Sequence, residues 1–368
     1  MSDNQSAANG MKILVVGKGG REHALVRALD ESASSRTLFS FPGSDAIFEI
    51  AKPAPGVSDV PSLVAFMVEE GVDLCVAGEE SYLLKGLADQ CQKAGLPCWG
   101  PVEAAARLEG SKEFAKEFMF RHEIPTGGYM AASTANEARA AIKSYPCVLK
   151  FDGLAAGKGV AVCQTEAEAE AFLKQVFDDR QFGEGRLLVE EFLEGPEVSV
   201  FCGVVDDVYE IFTPARDYKR LADNDEGLNT GGMGAVASRG LIDEELLAEI
   251  DRSIIRKTVD GLRKDGLPSR GFLYFGIMLT AAGPKILEYN CRFGDPECQA
   301  VMPLVKGDLA AFVRAGAEGR LEPEHIRYDN GWSICLVKAS AGYPVTSRSG
   351  DEISGLDSLG EGRVYHAG

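Results

Sequence analysis

Glu288, Asn290 and Arg292 stand at alternate positions in the segment LEYNCRFGDPE, so on an extended strand a carboxylate, a carboxamide and a guanidinium share one face. Two hard oxygen donors suit magnesium bridging nucleotide phosphates, and an arginine beside them suits a phosphoryl group in transfer. A structural ion-pair network is the plainer use of the same residues. The stretch Gly153-Leu154-Ala155-Ala156-Gly157-Lys158-Gly159 is similar in composition to a Walker loop, but its glycines are one residue too close and neither Ser nor Thr follows Lys158. It lies between two strand-like segments. It therefore reads as a glycine-rich hairpin closing over a triphosphate, with Lys150 and Lys158 neutralising phosphate oxygens; a solvated lysine in a turn is the alternative.

Three further segments gain meaning beside these. Gly17-Lys18-Gly19-Gly20-Arg21 joins a strand to a helix, where free backbone amides can receive a phosphate. The next strand ends Phe39-Ser40-Phe41-Pro42 without an acidic residue for a ribose, which disfavours a nicotinamide dinucleotide. Val189-Glu190-Glu191-Phe192-Leu193, followed by Glu197, fits a hinge whose backbone reads an adenine edge and whose later carboxylate takes ribose hydroxyls; alone it is an ordinary acidic strand end. Asn229-Thr230-Gly231-Gly232-Met233-Gly234 offers glycine amides to a carboxylate or phosphate, or is a turn in a polar loop.

The elements that position these residues fall into groups. MKILVVG, REHALVRAL, RTLFSF, a helix after Pro61, DLCVAG and a helix from Leu83 to Ala94 alternate as a doubly wound parallel α/β layer. A helix from Ser111 to His122 leads to the Pro/Gly boundary EIPTGGY. Beyond it, capping boxes Thr134-x-x-Glu137 and Thr165-x-x-Glu168 frame PCVLKF and the glycine-rich hairpin as a small lid. RLLVEEF, EVSVFCGVV, DVYEIFTPA, a long helix from Asp243 to Lys264, GFLYFGIML and PKILEYN predict an antiparallel core sheet, and GWSICLVKAS and GRVYHAG predict strands of a small terminal domain.

Composition narrows the function classes. A net charge of −18 opposes nonspecific nucleic-acid binding, so a phosphorylated substrate needs local cations and backbone donors. Apolar runs are far shorter than the ~20 residues of a bilayer span, and the polar start MSDNQSAANG reads as a disordered leader, so no membrane association is expected. Nine cysteines without a CxxC pair predict reduced thiols in a cytoplasmic protein, and the four histidines share no zinc-ligand spacing.

Taken in order, GGREHA, LEGSKEFAKEF with Lys112, KFDGLAAGKGV, VEEFLEGPEVS, NTGGMGA and LEYNCRFGDPE resemble the glycinamide ribonucleotide synthetases of the ATP-grasp superfamily, from Met11 to Gly368. The resemblance implies an α/β and α+β multidomain fold: a leader (1–10), an N-terminal substrate-binding α/β domain (11–110), a connecting helix (111–125), a mobile ATP-grasp lid (126–194), an ATP-grasp core (195–319) and a partial C-terminal domain (320–368). It implies that ATP phosphorylates glycine and that the amine of 5-phosphoribosylamine attacks the glycyl phosphate, giving glycinamide ribonucleotide, ADP and phosphate in purine synthesis.

By the same resemblance, Lys112, Lys150 and Lys158, with Gly157 and Gly159, approach ATP phosphates; Glu190, Glu191, Phe192 and Leu193 the adenine; and Glu197 the ribose. Glu288 and Asn290 hold Mg²⁺ or Mn²⁺. Arg292, Asp217, Lys219 and Asn229 line the reaction centre together with Gly231, Gly232, Met233 and Gly234. Gly19, Gly20, Arg21 and Glu80 face the phosphoribosyl substrate. The chain departs from the family at Lys18 (usually Asn), at Glu79 (usually Pro), at Arg216 (usually Gln) and at Val236-Ala237-Ser238, and the resemblance implies a further strand-and-helix segment after Gly368. Glu79 and Arg216 place charges near the substrates that call for a counterion, each other or a ligand group.

Overall fold

The computed structural model describes residues 10–153, 159–358 and 360–367. Its first unit alternates β1 (Met11–Gly17), α1 (Gly20–Asp30), β2 (Ser35–Pro42), α2 (Asp45–Phe48), β3 (Lys52–Pro53), α3 (Val60–Glu70), β4 (Leu74–Ala77), α4 (Glu80–Leu83), α5 (Leu87–Lys93) and β5 (Cys98–Trp99). The strands form a parallel sheet of order β3-β2-β1-β4-β5. Both faces of β1 are buried, with Leu14 and Val16 packed in one apolar cluster and Ile13 and Val15 in another. Strand order reverses between β1 and β4, and such a switch point opens a crevice at the strands' carboxyl ends. Gly19 to Arg21 follow β1 there, and Glu80 follows β4.

Local signals set the helix limits. Asp59 caps α3 by accepting from the Ser62 amide at 2.9 Å, and Gly71, at φ 64°, ends it in the left-handed region. The helix expected from Leu83 to Ala94 starts only at Leu87, as α5, because Gly86, at φ 75°, separates it from the short α4 that ends at Leu83.

Two helices, α6 (Glu103–Gly110) and α7 (Lys112–Arg121), lead to an antiparallel sheet of β6 (Tyr129–Ala132), β7 (Cys147–Phe151), β8 (Val160–Cys163) and β9 (Leu187–Glu191), ordered β6-β9-β7-β8. Helices α8 (Ala135–Ala141) and α9 (Glu166–Leu173) begin at Thr134 and Thr165, whose hydroxyls accept from the Glu137 and Glu168 amides. This unit has its own core around Leu149, Phe151, Phe172 and Leu187.

The largest sheet contains β10 (Glu197–Val205), β11 (Val208–Ile211), β12 (Ala215–Ala222), β13 (Glu226–Ala237), β14 (Arg270–Thr280) and β15 (Gly283–Asn290). Helices α10 (Glu244–Ile250) and α11 (Arg256–Lys264) are joined by a π-helical stretch, Asp251–Ile255, within the single long helix the sequence predicted. After α12 (Glu297–Val301) come β16 (Val305–Gly307), α13 (Leu309–Ala317), β17 (Ile326–Tyr328) and β18 (Ser333–Leu336). Among the described residues, no helix is long and apolar enough to cross a membrane.

Two expectations are corrected. Asn229 to Gly234 is not a loop: it lies in β13, where Asn229 pairs with Arg220 and Gly234 with Tyr218 of β12 across a shift in register. GWSICLVKAS does not build a separate terminal sheet; β18 extends the central sheet by pairing with the open edge of β13. The described residues of GRVYHAG, 362–367, form no strand. They fold back on α1, where the His366 amide donates to His23 Nδ1 at 3.1 Å and Arg363 pairs with Glu31.

Candidate active site

Strand β15 carries a bulge: Glu288 pairs with Gly276 and Ile286 with Ile277, leaving Leu287 as the extra residue. The freed Leu287 carbonyl accepts from Lys150 Nζ at 3.2 Å. With the register reset, Glu288 and Asn290 flank the buried Tyr289 and share the opposite face. The strand ends at Asn290, so Arg292 does not extend that face; it sits in the following turn. Phe293 fixes this turn, packing its ring 4.5 Å from Phe272 and 4.9 Å from Phe201 in the core.

Burial opposes the Glu288 charge, but Lys219, Lys150, Lys112 and Arg292 outweigh it and hold its carboxyl below the ordinary range. The side chain still keeps 40% of its accessible area, as expected for a group on the wall of an open cleft with protein on several sides. Lys219 Nζ lies 3.5 Å from Asp217, 3.5 Å from Glu197 and 4.0 Å from Glu288. Burial again opposes its charge, and Tyr274 and these carboxylates overcome it, so the ammonium persists. The Asn290 carboxamide is satisfied when its nitrogen donates to the Tyr289 carbonyl at 2.9 Å and its oxygen accepts from Arg292 Nη1 at 3.2 Å.

Arg292 reaches across to other elements. Its Nε donates to Glu80 at 3.1 Å, its Nη2 lies 2.6 Å from Glu109 on α6, and its Nη1 donates to the Phe293 carbonyl. Arg21 Nη2 approaches the same Glu80 carboxylate at 3.9 Å. Burial pushes Glu109 up to about 7 against the pull of Arg292. The guanidinium 2.6 Å away favours its ionised form. The β1–α1 turn packs on this loop: a Cβ at Gly20 would lie 2.7 Å from Gln299 Nε2, and Gln299 donates to Asp295 at 2.6 Å. The Gly19 amide donates to Glu22 at 2.8 Å.

A second buried cluster lies where the β6-β9-β7-β8 sheet meets α7. Glu190 Oε2 is 3.0 Å from Lys116 and 3.1 Å from Lys150, while Glu190 Oε1 is buried without a hydrogen-bond partner among the described residues. Lys112 Nζ donates to the Gly153 carbonyl at 2.9 Å, and Asp152 accepts from the Lys112 amide at 2.6 Å, tying the start of the glycine-rich stretch to the α7 N-terminus. Burial lowers the Lys112 pKa, with Glu288 opposing. Glu191 accepts from the Gly128 amide at 3.1 Å; Leu193 is buried and Phe192 exposed. The Gly159 carbonyl accepts from the Phe151 amide at 2.7 Å, whereas Gly157 and Lys158 lie outside the described residues.

Several amides of β13 already have partners. The Gly231 amide donates to Tyr343 Oη at 3.0 Å and that of Gly232 to Thr230 Oγ1 at 3.0 Å. Gly232, at φ 125°, leaves no room for a side chain, since a Cβ would stand 2.4 Å from Pro296 Cδ. Met233 accepts from the Val337 amide, a Cβ at Gly234 would meet the Cys335 carbonyl at 2.7 Å, and Asn229 is exposed opposite Arg220. Glu79 and Arg216 do not pair. Glu79 accepts from Ser81 at 2.8 Å, and the exposed Arg216 lies over the Tyr218 ring, so solvent and local partners satisfy both charges. Lys18 is exposed.

Sequence reasoning missed Lys116, Glu109 and the role of Glu297. Lys116 is one helical turn from Lys112, a spacing that places both on one face and could have flagged it. Nothing local marks Glu109 or Glu297, whose partners lie far away in sequence. Glu297 accepts from Ser199 at 3.0 Å, and burial with nearby Asp217 raises its carboxyl to about 7.

Residues 11–109 match the family model described as phosphoribosylglycinamide synthetase, N domain, and residues 110–298 match its ATP-grasp (A) domain. The chain belongs to the phosphoribosylglycinamide synthetase family. This synthetase is 41% identical to the phosphoribosylamine–glycine ligase of Caldanaerobacter subterraneus subsp. tengcongensis over 97% of its own length and 87% of the relative's, and 42% identical to that of Escherichia coli O6:H1 over 97% and 86%. The crystal structure of the Thermotoga maritima phosphoribosylamine–glycine ligase superposes on the synthetase with TM-score 0.79 at 33% identity, over 92% of this chain and 82% of that one. The biotin carboxylase domain of Hydrogenobacter thermophilus 2-oxoglutarate carboxylase shares the ATP-grasp fold at TM-score 0.68 and 21% identity, over 90% and 75%.

Proposed function

We propose that this synthetase is an ATP-dependent carbon–nitrogen ligase that joins glycine to 5-phosphoribosylamine through a glycyl phosphate, yielding glycinamide ribonucleotide, ADP and phosphate. One observation carries the reading: in a chain of net charge −18, Lys219, Lys150, Lys112 and Arg292 converge on the ionised Glu288. Such a local concentration of cations against the global field suits a polyphosphate. Family membership and the names of the curated relatives supply the substrates.

In this reading the 126–194 lid and 195–319 core hold ATP, and residues 11–110 receive the phosphoribosyl substrate. Lys112 and Lys150 face phosphate oxygens. The unpartnered Glu190 Oε1 accepts a donor from the adenine edge. Glu197, at the start of β10, takes ribose hydroxyls. Glu288 fits a hard cation because its carboxyl stays ionised, and the Asn290 oxygen keeps a second lone pair beside the one facing Arg292. A divalent ion, Mg²⁺ or Mn²⁺, held by these two would neutralise phosphate charge when bound.

Lys219 and Arg292 stabilise charge on the transferred phosphoryl and on the acyl phosphate, while Asp217 and Glu288 keep Lys219 in place. Gly19, Arg21 and Glu80 at the switch point orient the amine that attacks the glycyl carbonyl carbon, expelling phosphate. ADP release by purified protein with Mg-ATP tests the assignment, glycine and phosphoribosylamine being omitted in turn. Turnover that requires both supports it; turnover appearing only with another acid or amine overturns it.

A further inference from the structure

Cys75 on β4, Cys91 on α5 and Cys98 on β5 bring three Sγ atoms within 4.8 Å of one another. The fold makes the cluster: Cys75 and Cys98 are register partners on neighbouring parallel strands, and α5 returns to place Cys91 beside them. Cys75 and Cys91 are 1% and 0% exposed, and Cys98, on a two-residue strand after Gly95-Leu96-Pro97, keeps 9%. None of the three belongs to the candidate active site.

We infer that Cys75, Cys91 and Cys98 form a binding site for a soft, thiophilic monovalent cation of the Cu(I) class. Three sulfurs around one ion at a metal–sulfur distance of about 2.3 Å stand about 4.0 Å apart, so the observed separations close by small side-chain adjustments. Ligand number selects the ion. Among the described residues, the three cysteines form the only such group of His, Cys, Asp or Glu, and no fourth ligand of these types joins it. Zinc in a closed protein site takes four ligands, whereas thiolates at low coordination number favour Cu(I). Charge agrees: Cu(I) on two thiolates and one neutral thiol releases two protons and leaves one net negative charge, which an apolar pocket tolerates better than the two left by three thiolates. Cys98, the least buried, offers the entry.

The test uses the full reduced chain. Cu(I) is titrated against a chromophoric Cu(I) chelator, with sulfur-to-copper charge-transfer absorption as a second readout, on wild type, Cys91→Ser, Cys98→Ser and a Cys147→Ala/Cys163→Ala control that removes the other register-paired thiols. One equivalent retained by wild type and control, with affinity lost by more than about a hundredfold in both serine variants, is expected; outer-shell losses alone stop near that value. Thermal melts monitor folding, and copper should raise the midpoint of wild type but not of the serine variants. No retention against the chelator, or retention and midpoint shift unchanged in Cys98→Ser, overturns the site. Copper lost equally from the control places binding elsewhere and also overturns it.

Discussion

Glu109 holds Arg292 from behind: one carboxylate oxygen lies 2.6 Å from Nη2 of Arg292 and the other accepts from the Cys291 amide at 2.7 Å, fixing both side chain and backbone of the turn after β15. Glu80 holds the Nε side at 3.1 Å and is itself approached by Arg21, so the guanidinium links the switch-point crevice to the ATP-grasp sheet.

Glu109→Gln should keep an acceptor for the Cys291 amide yet lose the charged contact to Arg292. We expect kcat to fall by about a hundredfold, the cost of misplacing a reacting group by about 1 Å, with KM for ATP little changed. Steady-state kinetics with each substrate varied check this. A rise in KM for ATP with unchanged kcat would sink the positioning role.

Glu288→Gln removes the carboxylate on which four cations converge. Lys219 keeps Asp217 and Glu197, so the fold should persist, while turnover should drop by at least about a hundredfold, as for loss of one electrostatic contact at a reacting centre. Circular dichroism and ADP release measured on the same sample decide the matter. A folded variant with wild-type turnover removes Glu288 from the site.

These variants also show what the sequence made legible. The β1 turn and the strand β15 could be read because strand alternation, Gly spacing and capping residues are local signals, whereas Asn229 to Gly234 reads as a loop and lies in β13. The bulge at Leu287 is not legible, since it is set by pairing with β14. Alternation alone carries the face of Glu288 and Asn290 on to Arg292, because no local signal marks the end of the strand at Asn290. Glu109 and Lys116 look like ordinary helix residues until tertiary packing brings Arg292 and Glu190 to them. The placement of β18 was hidden similarly: its own residues say strand, but only the free edge of β13 says which sheet.

Lys116→Met tests the buried Glu190 cluster. Lys116 also donates to Thr126 Oγ1 and the Gly127 carbonyl, so the change strips three acceptors and leaves Glu190 with Lys150 alone. We expect a loss of about 3 kcal/mol in urea unfolding, at the lower end for breaking a buried pair, and weaker ATP binding. Unchanged stability would show that Lys150 alone compensates Glu190.

Glu297 predicts a pH dependence of stability. Its carboxyl is buried, accepts from Ser199 at 3.0 Å and faces Asp217, which together with burial raises it from an ordinary 4.5 to about 7 in the folded protein. The folded state therefore binds this proton more tightly than the unfolded chain. Its contribution is complete below about pH 4.5 and is lost as pH rises through about 7, a change on the order of 3 kcal/mol if no other group compensates. Groups shifted the other way, Glu288 and Glu80, lose their contribution as pH falls, so they act outside this upper window. Glu297→Gln mimics the protonated form and removes the titration. Urea unfolding of both proteins between about pH 5 and pH 8 should show wild type losing stability relative to the variant as pH rises, with the difference levelling above about pH 7. Parallel profiles for the two proteins would mean that Glu297 is ionised throughout, and that Lys219 rather than burial sets its charge.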